Sequence, residues 1–168
     1  MQLAREPLSV EAPAAERDRH YRAVLESVWA LLEDEDDHIA ALSTVACELH
    51  HAFTYFDWTG FYRQVRPGLL VVGPYQGGHG CLRIEVPHGV CGKAVESART
   101  QLVDDVNAFE GHIACSTTTR SEIVVPVVST DRRVVAVLDV DSDQPAAFGA
   151  IDREHLETLC RELGRRFP

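Results

Sequence analysis

This chain of 168 residues lacks several things that would each have named a class of protein. No apolar run approaches the twenty or so residues that a bilayer crossing needs. The N-terminus, MQLAREPLSVEAPAAERD, has neither the apolar core of a signal peptide nor the Arg-rich, acid-poor character of a transit peptide. A cytoplasmic location is expected. There is no cationic excess, because Lys and Arg number 16 against 26 Asp and Glu, for a net charge of -10. That balance argues against a nucleic-acid backbone or an anionic membrane as partner. Cys-x-x-Cys knuckles, internal repeats and low-complexity tracts are also missing.

What is present is the composition of one soluble domain, 45% hydrophobic and 25% charged, long enough to bury a core without staples. Residues 1–15 carry Pro7, Pro13 and several Ala without periodicity and read as a loosely ordered tail. Residues 16–168 read as a single domain. Tyr21, Val24, Leu25, Val28, Leu31 and Leu32 recur at helical spacing. The acidic run 33–37 closes that helix and caps a second, which carries Ile39, Leu42, Val45, Ala46, Leu49 and Phe53.

From Trp58 the pattern turns to strands. WTGFYRQV and LLVVGPYQ flank a Pro67-Gly68 turn as a hairpin, CLRIEV follows, Gly89 to Ser97 is a short helix, and LVDDV is another strand. EIVVPVVST and VVAVLDVDS form a second hairpin around Asp131-Arg132-Arg133. A last helix carries Leu156, Leu159, Cys160, Leu163 and Phe167. The expected fold is α+β, one antiparallel sheet with the N-terminal and C-terminal helices packed on one face.

Five cysteines, an odd number without a secretory signal, speak for a reducing compartment and for redox or metal chemistry. Cys47 and Cys160 look like core residues. Cys81, Cys91 and Cys115 lie in polar, Gly-rich surroundings (GGHGCLRIE, HGVCGKAV, FEGHIACSTTT) and read as exposed thiols. Cys81 begins a strand, Cys91 opens the short helix, and Cys115 sits on a long loop from Asn107 to Thr119, the kind of loop that often serves a site. Redox catalysis needs an accessible thiolate and a second thiol within reach, which such a trio could supply. A non-catalytic set of exposed thiols fits the same pattern, and so does zinc, through His88-x-x-Cys91, His112-x-x-Cys115 and His79-x-Cys81.

Glu122, Asp139 and Asp141 interrupt strands that are otherwise apolar, where an uncompensated carboxylate costs several kcal/mol to bury. Asp139 and Asp141 have the same parity and share a face, with Val140 on the other. A solvated strand end would explain them. So would a pocket for a small amine-bearing molecule, with Trp58, Phe61 and Tyr62 as its apolar wall.

Taken in order, WTGFY, VGPYQG, Cys81, GVCGKAV, QLVDDV, FEGHIACS, RSEIVVPV and LDVDS resemble the free methionine-(R)-sulfoxide reductases, which are stand-alone domains of GAF type. The resemblance runs from about Trp58 to Ser142 and more loosely through the terminal helices. It implies a GAF-like domain that reduces free methionine (R)-sulfoxide, with no bound cofactor. It also implies that Cys115 is the nucleophile and is left as a sulfenic acid, that Cys81 resolves it as a disulfide, and that Cys91 is a second resolving thiol or relay. Thioredoxin would be the external reductant. By the same resemblance Glu122, Asp139 and Asp141 hold the substrate ammonium and assist protonation of the sulfoxide, Trp58 and Tyr62 face the sulfur end, and the chain forms a homodimer. Glu110, Ser116 and Asp104 depart from residues common in the family on or near the site loop. A GAF-type sensor that binds a small molecule without turning it over, and a zinc-binding domain, are the rival readings.

Overall fold

A computed structural model describes residues 6–111, 113 and 116–166. Among these residues six antiparallel strands form one sheet: β1 (Trp58–Arg66), β2 (Leu69–Gln76), β3 (Arg83–Glu85), β4 (Gln101–Val103), β5 (Ser121–Val128) and β6 (Val134–Ser142), in the spatial order β3-β2-β1-β6-β5-β4. Among the described residues four α-helices accompany it: α1 (Ala14–Leu31), α2 (His38–Ala52), α3 (Gly89–Ser97) and α4 (Ala150–Arg166). This is the expected α+β architecture built on one antiparallel sheet.

The alternation of side chains along each strand splits the interior into two layers. Phe61, Ile123, Val125, Leu138 and Val140 point to one face and pack with α1, α2 and α4. Tyr62, Val124 and Val137 point to the other, where they meet Val90, Cys91 and Ala94 of α3. The terminal helices therefore share one face, as expected. The site lies under α3 on the opposite face.

Local chemistry explains the boundaries. Asp37 caps α2 by accepting from the amide of Ala40 at 2.8 Å, so the acidic run ends one helix and starts the next. The β1–β2 turn places Gly68 at a φ of +80°, where a side chain would be strained. On the other flank, α4 comes so close to β5 that a Cβ on Gly164 would stand 2.0 Å from the carbonyl oxygen of Val128.

One carboxylate ties the helical layer together. Asp152, fully buried on α4, accepts from the hydroxyls of Tyr21 at 2.9 Å and Tyr55 at 2.7 Å, from Arg17 at 2.8 Å and from the amide of Gly149 at 2.8 Å. Four donors are enough to offset the desolvation of one charge.

The stretch read as a loose tail is instead docked over its described part. Leu8 is buried and pairs in parallel with Phe53, its amide donating to Ala52 at 2.8 Å and its carbonyl accepting from Thr54 at 2.9 Å. Arg17 also donates to the carbonyl of Val10 at 2.5 Å. A single apolar residue with two backbone bonds fixes this segment, and periodicity cannot reveal that. Among the described residues no helix is long and apolar enough to cross a membrane.

Candidate functional site

The strand register brings three carboxyl groups together. Asp141 on β6 pairs with Glu122 on β5 and with Trp58 on β1, while Asp139 pairs with Val124 and Gly60. Same-face neighbours on adjacent antiparallel strands stand only about 4.5–5.5 Å apart. Glu122, Asp139 and Asp141 consequently form one cluster on the α3 side of the sheet, and all three line a single cavity with Trp58, Tyr62 and Cys91. His79, Gly80, Ile84, Ile113 and Thr119 complete much of its wall.

Aromatic packing shapes the opposite side. The Trp58 indole stacks with Tyr62, at 5.8 Å, and with Tyr75, at 5.3 Å, and its Nε1 donates to the carbonyl of Gly78 at 3.1 Å. The Gly-rich loop after β2 can lie over these rings because it carries little side-chain bulk. A Cβ on Gly80 would stand 2.8 Å from the Tyr62 hydroxyl oxygen.

Burial sets the electrostatics. It raises the pKa of Glu122 well above the usual carboxyl range, with repulsion from Asp139 and Asp141 adding to it. It raises Asp141 in the same way, helped by Asp139. Asp139 is pushed up to about 7, since hydrogen bonds from Cys91 and Glu122 partly oppose the effect of burial. One or more of these groups therefore keeps its proton near neutral pH. Tyr62 is also raised, first by burial and then by Asp139.

The thiols separate into distinct situations. Cys91, expected to be exposed, is buried, only 3% exposed, and its Sγ donates to Asp139 Oδ2 at 3.4 Å. Burial first, and Asp139 next, push its pKa well up, so it is a protonated thiol rather than a thiolate. The reason is position: the first turn of α3 points inward onto β6. Cys81 lies two residues ahead of β3 rather than on it, is half-buried, and is engaged in a disulfide. Cys115 and His112 lie outside the described residues.

Other expectations are corrected. Phe61 faces the helical layer and has no part in the aromatic wall, because its parity is opposite to that of Trp58 and Tyr62. Cys160 is fully buried, whereas Cys47 is only half-buried, with its Sγ 3.8 Å from His51 Nδ1 on the outer side of α2. His88 is exposed and its Nδ1 contacts the carbonyl of Glu85 at 3.1 Å, so the ring turns to its own loop while Cys91 turns to Asp139. His79, named from the sequence only as a zinc partner for Cys81, lines the cavity, as do Ile84, Ile113 and Thr119, which the sequence did not single out. The Gly-Gly-His-Gly run was the available signal for His79.

The arrangement offers buried carboxyl groups able to hold a cation and to give a proton, set beside an apolar aromatic wall. A family model for the GAF domain matches residues 23–165. Over 134 residues the chain is 39% identical to the free methionine-R-sulfoxide reductase of Escherichia coli, covering 80% of each protein. It is 35% identical over 148 residues to the protein of that name in Saccharomyces cerevisiae, covering 84% of this chain and 82% of the other. The X-ray structure of free methionine-R-sulfoxide reductase from Neisseria meningitidis in complex with its substrate superposes with a TM-score of 0.85 at 40% identity, covering 97% of this chain and 96% of that one.

Proposed function

Because the chain belongs to the GAF-domain family and, within it, to the free methionine-R-sulfoxide reductases, we propose that it reduces free methionine (R)-sulfoxide to methionine through its own thiols. The observation that carries this reading is the cluster of Glu122, Asp139 and Asp141 beneath Trp58 in one cavity.

A sulfoxide sulfur is a poor electrophile until its oxygen is protonated or strongly hydrogen-bonded. A carboxyl group whose pKa is lifted to about 7, as at Asp139, is suited to give that proton at neutral pH. A second, ionised carboxyl of the cluster pairs with the substrate ammonium. Trp58 and Tyr62 cover the sulfur end.

The Cys115 sulfur attacks the sulfoxide sulfur, the S–O bond transfers its oxygen to the cysteine, and methionine leaves with Cys115 as a sulfenic acid. The Cys81 thiol then displaces that oxygen as water, forming a disulfide. Thioredoxin returns both cysteines to thiols by exchange. The disulfide already made by Cys81 is in keeping with this role. Cys91, protonated and held on Asp139, is placed to orient the proton donor and would need to leave its buried position to serve as a resolving thiol.

A coupled assay tests the reading. Purified protein with free methionine (R)-sulfoxide, thioredoxin, thioredoxin reductase and NADPH is expected to consume NADPH and release methionine in equal amounts. No turnover, with binding of the sulfoxide retained, would overturn it in favour of a sensor.

A further inference from the structure

We propose that Cys91, Glu122 and Asp139 also form a binding site for a thiophilic divalent cation of the zinc class, a site that competes with an ammonium-bearing ligand for the same cavity.

The three side chains come from α3, β5 and β6, all are buried, and one ligand atom from each lies within 4.8 Å of the other two. The separation of Cys91 Sγ from Asp139 Oδ2 is 3.4 Å. A tetrahedral zinc with a sulfur bond of about 2.3 Å and an oxygen bond of about 2.0 Å spans roughly 3.5 Å along that edge. The pair is already spaced for coordination, and Glu122, with a carboxyl oxygen within 4.8 Å of both, is the third ligand.

A second observation points the same way. Asp139, only 6% exposed, leaves its Oδ1 buried without a hydrogen-bond partner among the described residues. A buried carboxylate oxygen without a partner costs free energy that a cation recovers. The described lining of the cavity includes no Lys or Arg, so no permanently cationic side chain on its walls pairs with the cluster.

One thiolate with two carboxylates selects zinc, cadmium or cobalt over magnesium or calcium, which prefer oxygen donors alone. Binding displaces the Cys91 proton, and any carboxyl proton, to solvent. Three protein ligands leave a fourth position open towards the cavity. The site itself does not depend on the reductase reading. Its consequence, reversible inhibition by occupied zinc, does rest on it.

Cobalt(II) is the probe, because a thiolate ligand gives it a charge-transfer band in the near ultraviolet. The titration is made in the full-length Cys81→Ser/Cys115→Ser chain, which removes the two thiols assigned to turnover. One cobalt per chain with that band is expected. Cys91→Ser should abolish the band, Glu122→Gln should weaken binding at least about tenfold, and free methionine should raise the apparent dissociation constant. Circular dichroism of each variant establishes that it is folded. No band, a band that survives Cys91→Ser, or equal affinity for magnesium would overturn the site. Binding with unchanged coupled-assay turnover would overturn only the inhibition.

Discussion

Glu122 on β5 and Asp141 on β6 are direct cross-strand partners, two carboxyl side chains facing each other across an antiparallel ladder in a buried setting. Like charges in that position are destabilising. The sheet tolerates the pair because protons remain on the cluster, and that links the stability of the fold to pH.

Asp139 gives the sign of this linkage. Its ordinary pKa of 3.8 rises to about 7 on folding, so the folded state binds the proton more tightly than the unfolded chain. The stabilisation from that proton is complete below the unfolded value and is lost as pH rises from about 4 through about 7. Asp139→Asn is therefore expected to be more stable than the natural chain by about 1–4 kcal/mol at pH near 8, with the gap shrinking towards pH near 5. Urea unfolding at both pH values reads it, and a gap that widens on acidification would refute the assignment.

Gly60→Ala addresses the aromatic wall. A Cβ there would stand 2.4 Å from Tyr75 Cβ and 2.6 Å from the far edge of the Trp58 indole. Neither ring can retreat without disturbing the other, since the two stack at 5.3 Å. A loss of about 1–3 kcal/mol in stability is expected, with a KM for free sulfoxide raised at least about tenfold. Wild-type affinity in this variant would mean that Trp58 does not contact the ligand.

Cys115 and Cys81 should separate kinetically. Cys115→Ser is expected to lose methionine release altogether. Cys81→Ser should release about one methionine per chain and then stop for want of a resolving thiol. Rapid-quench measurement of methionine per active site distinguishes them, and sustained turnover by Cys81→Ser would transfer the resolving role to another cysteine.

Asp152→Asn leaves the shape of the helical layer but removes the charge that Arg17, Tyr21 and Tyr55 share. A cost of about 3–5 kcal/mol is expected, read as a lower urea midpoint. The arrangement of Glu122, Asp139 and Asp141 lies on the far face of the sheet, so kcat of the surviving folded protein should be unchanged.

Parity was legible in LDVDS, and it correctly placed Asp139 and Asp141 together and Val140 apart. The same rule applied to WTGFY would have separated Phe61 from Trp58 and Tyr62, so that error came from reading neighbours in sequence as neighbours in space. The capping of α2 by Asp37 was legible because it is local. Burial of Cys91 was not, because it follows from how α3 docks on β6, and docking depends on residues far apart in the chain. The anchoring of Leu8 against Phe53 has the same origin.

The two tryptophans fall in different layers: Trp58 against the cavity, and Trp29 against the helical core with the Arg166 guanidinium 4.7 Å over its ring. Each indole is thus a separate optical reporter. Trp29→Phe would leave a single fluorophore whose quenching tracks ligand entry, while Trp58→Phe would leave one that follows unfolding alone.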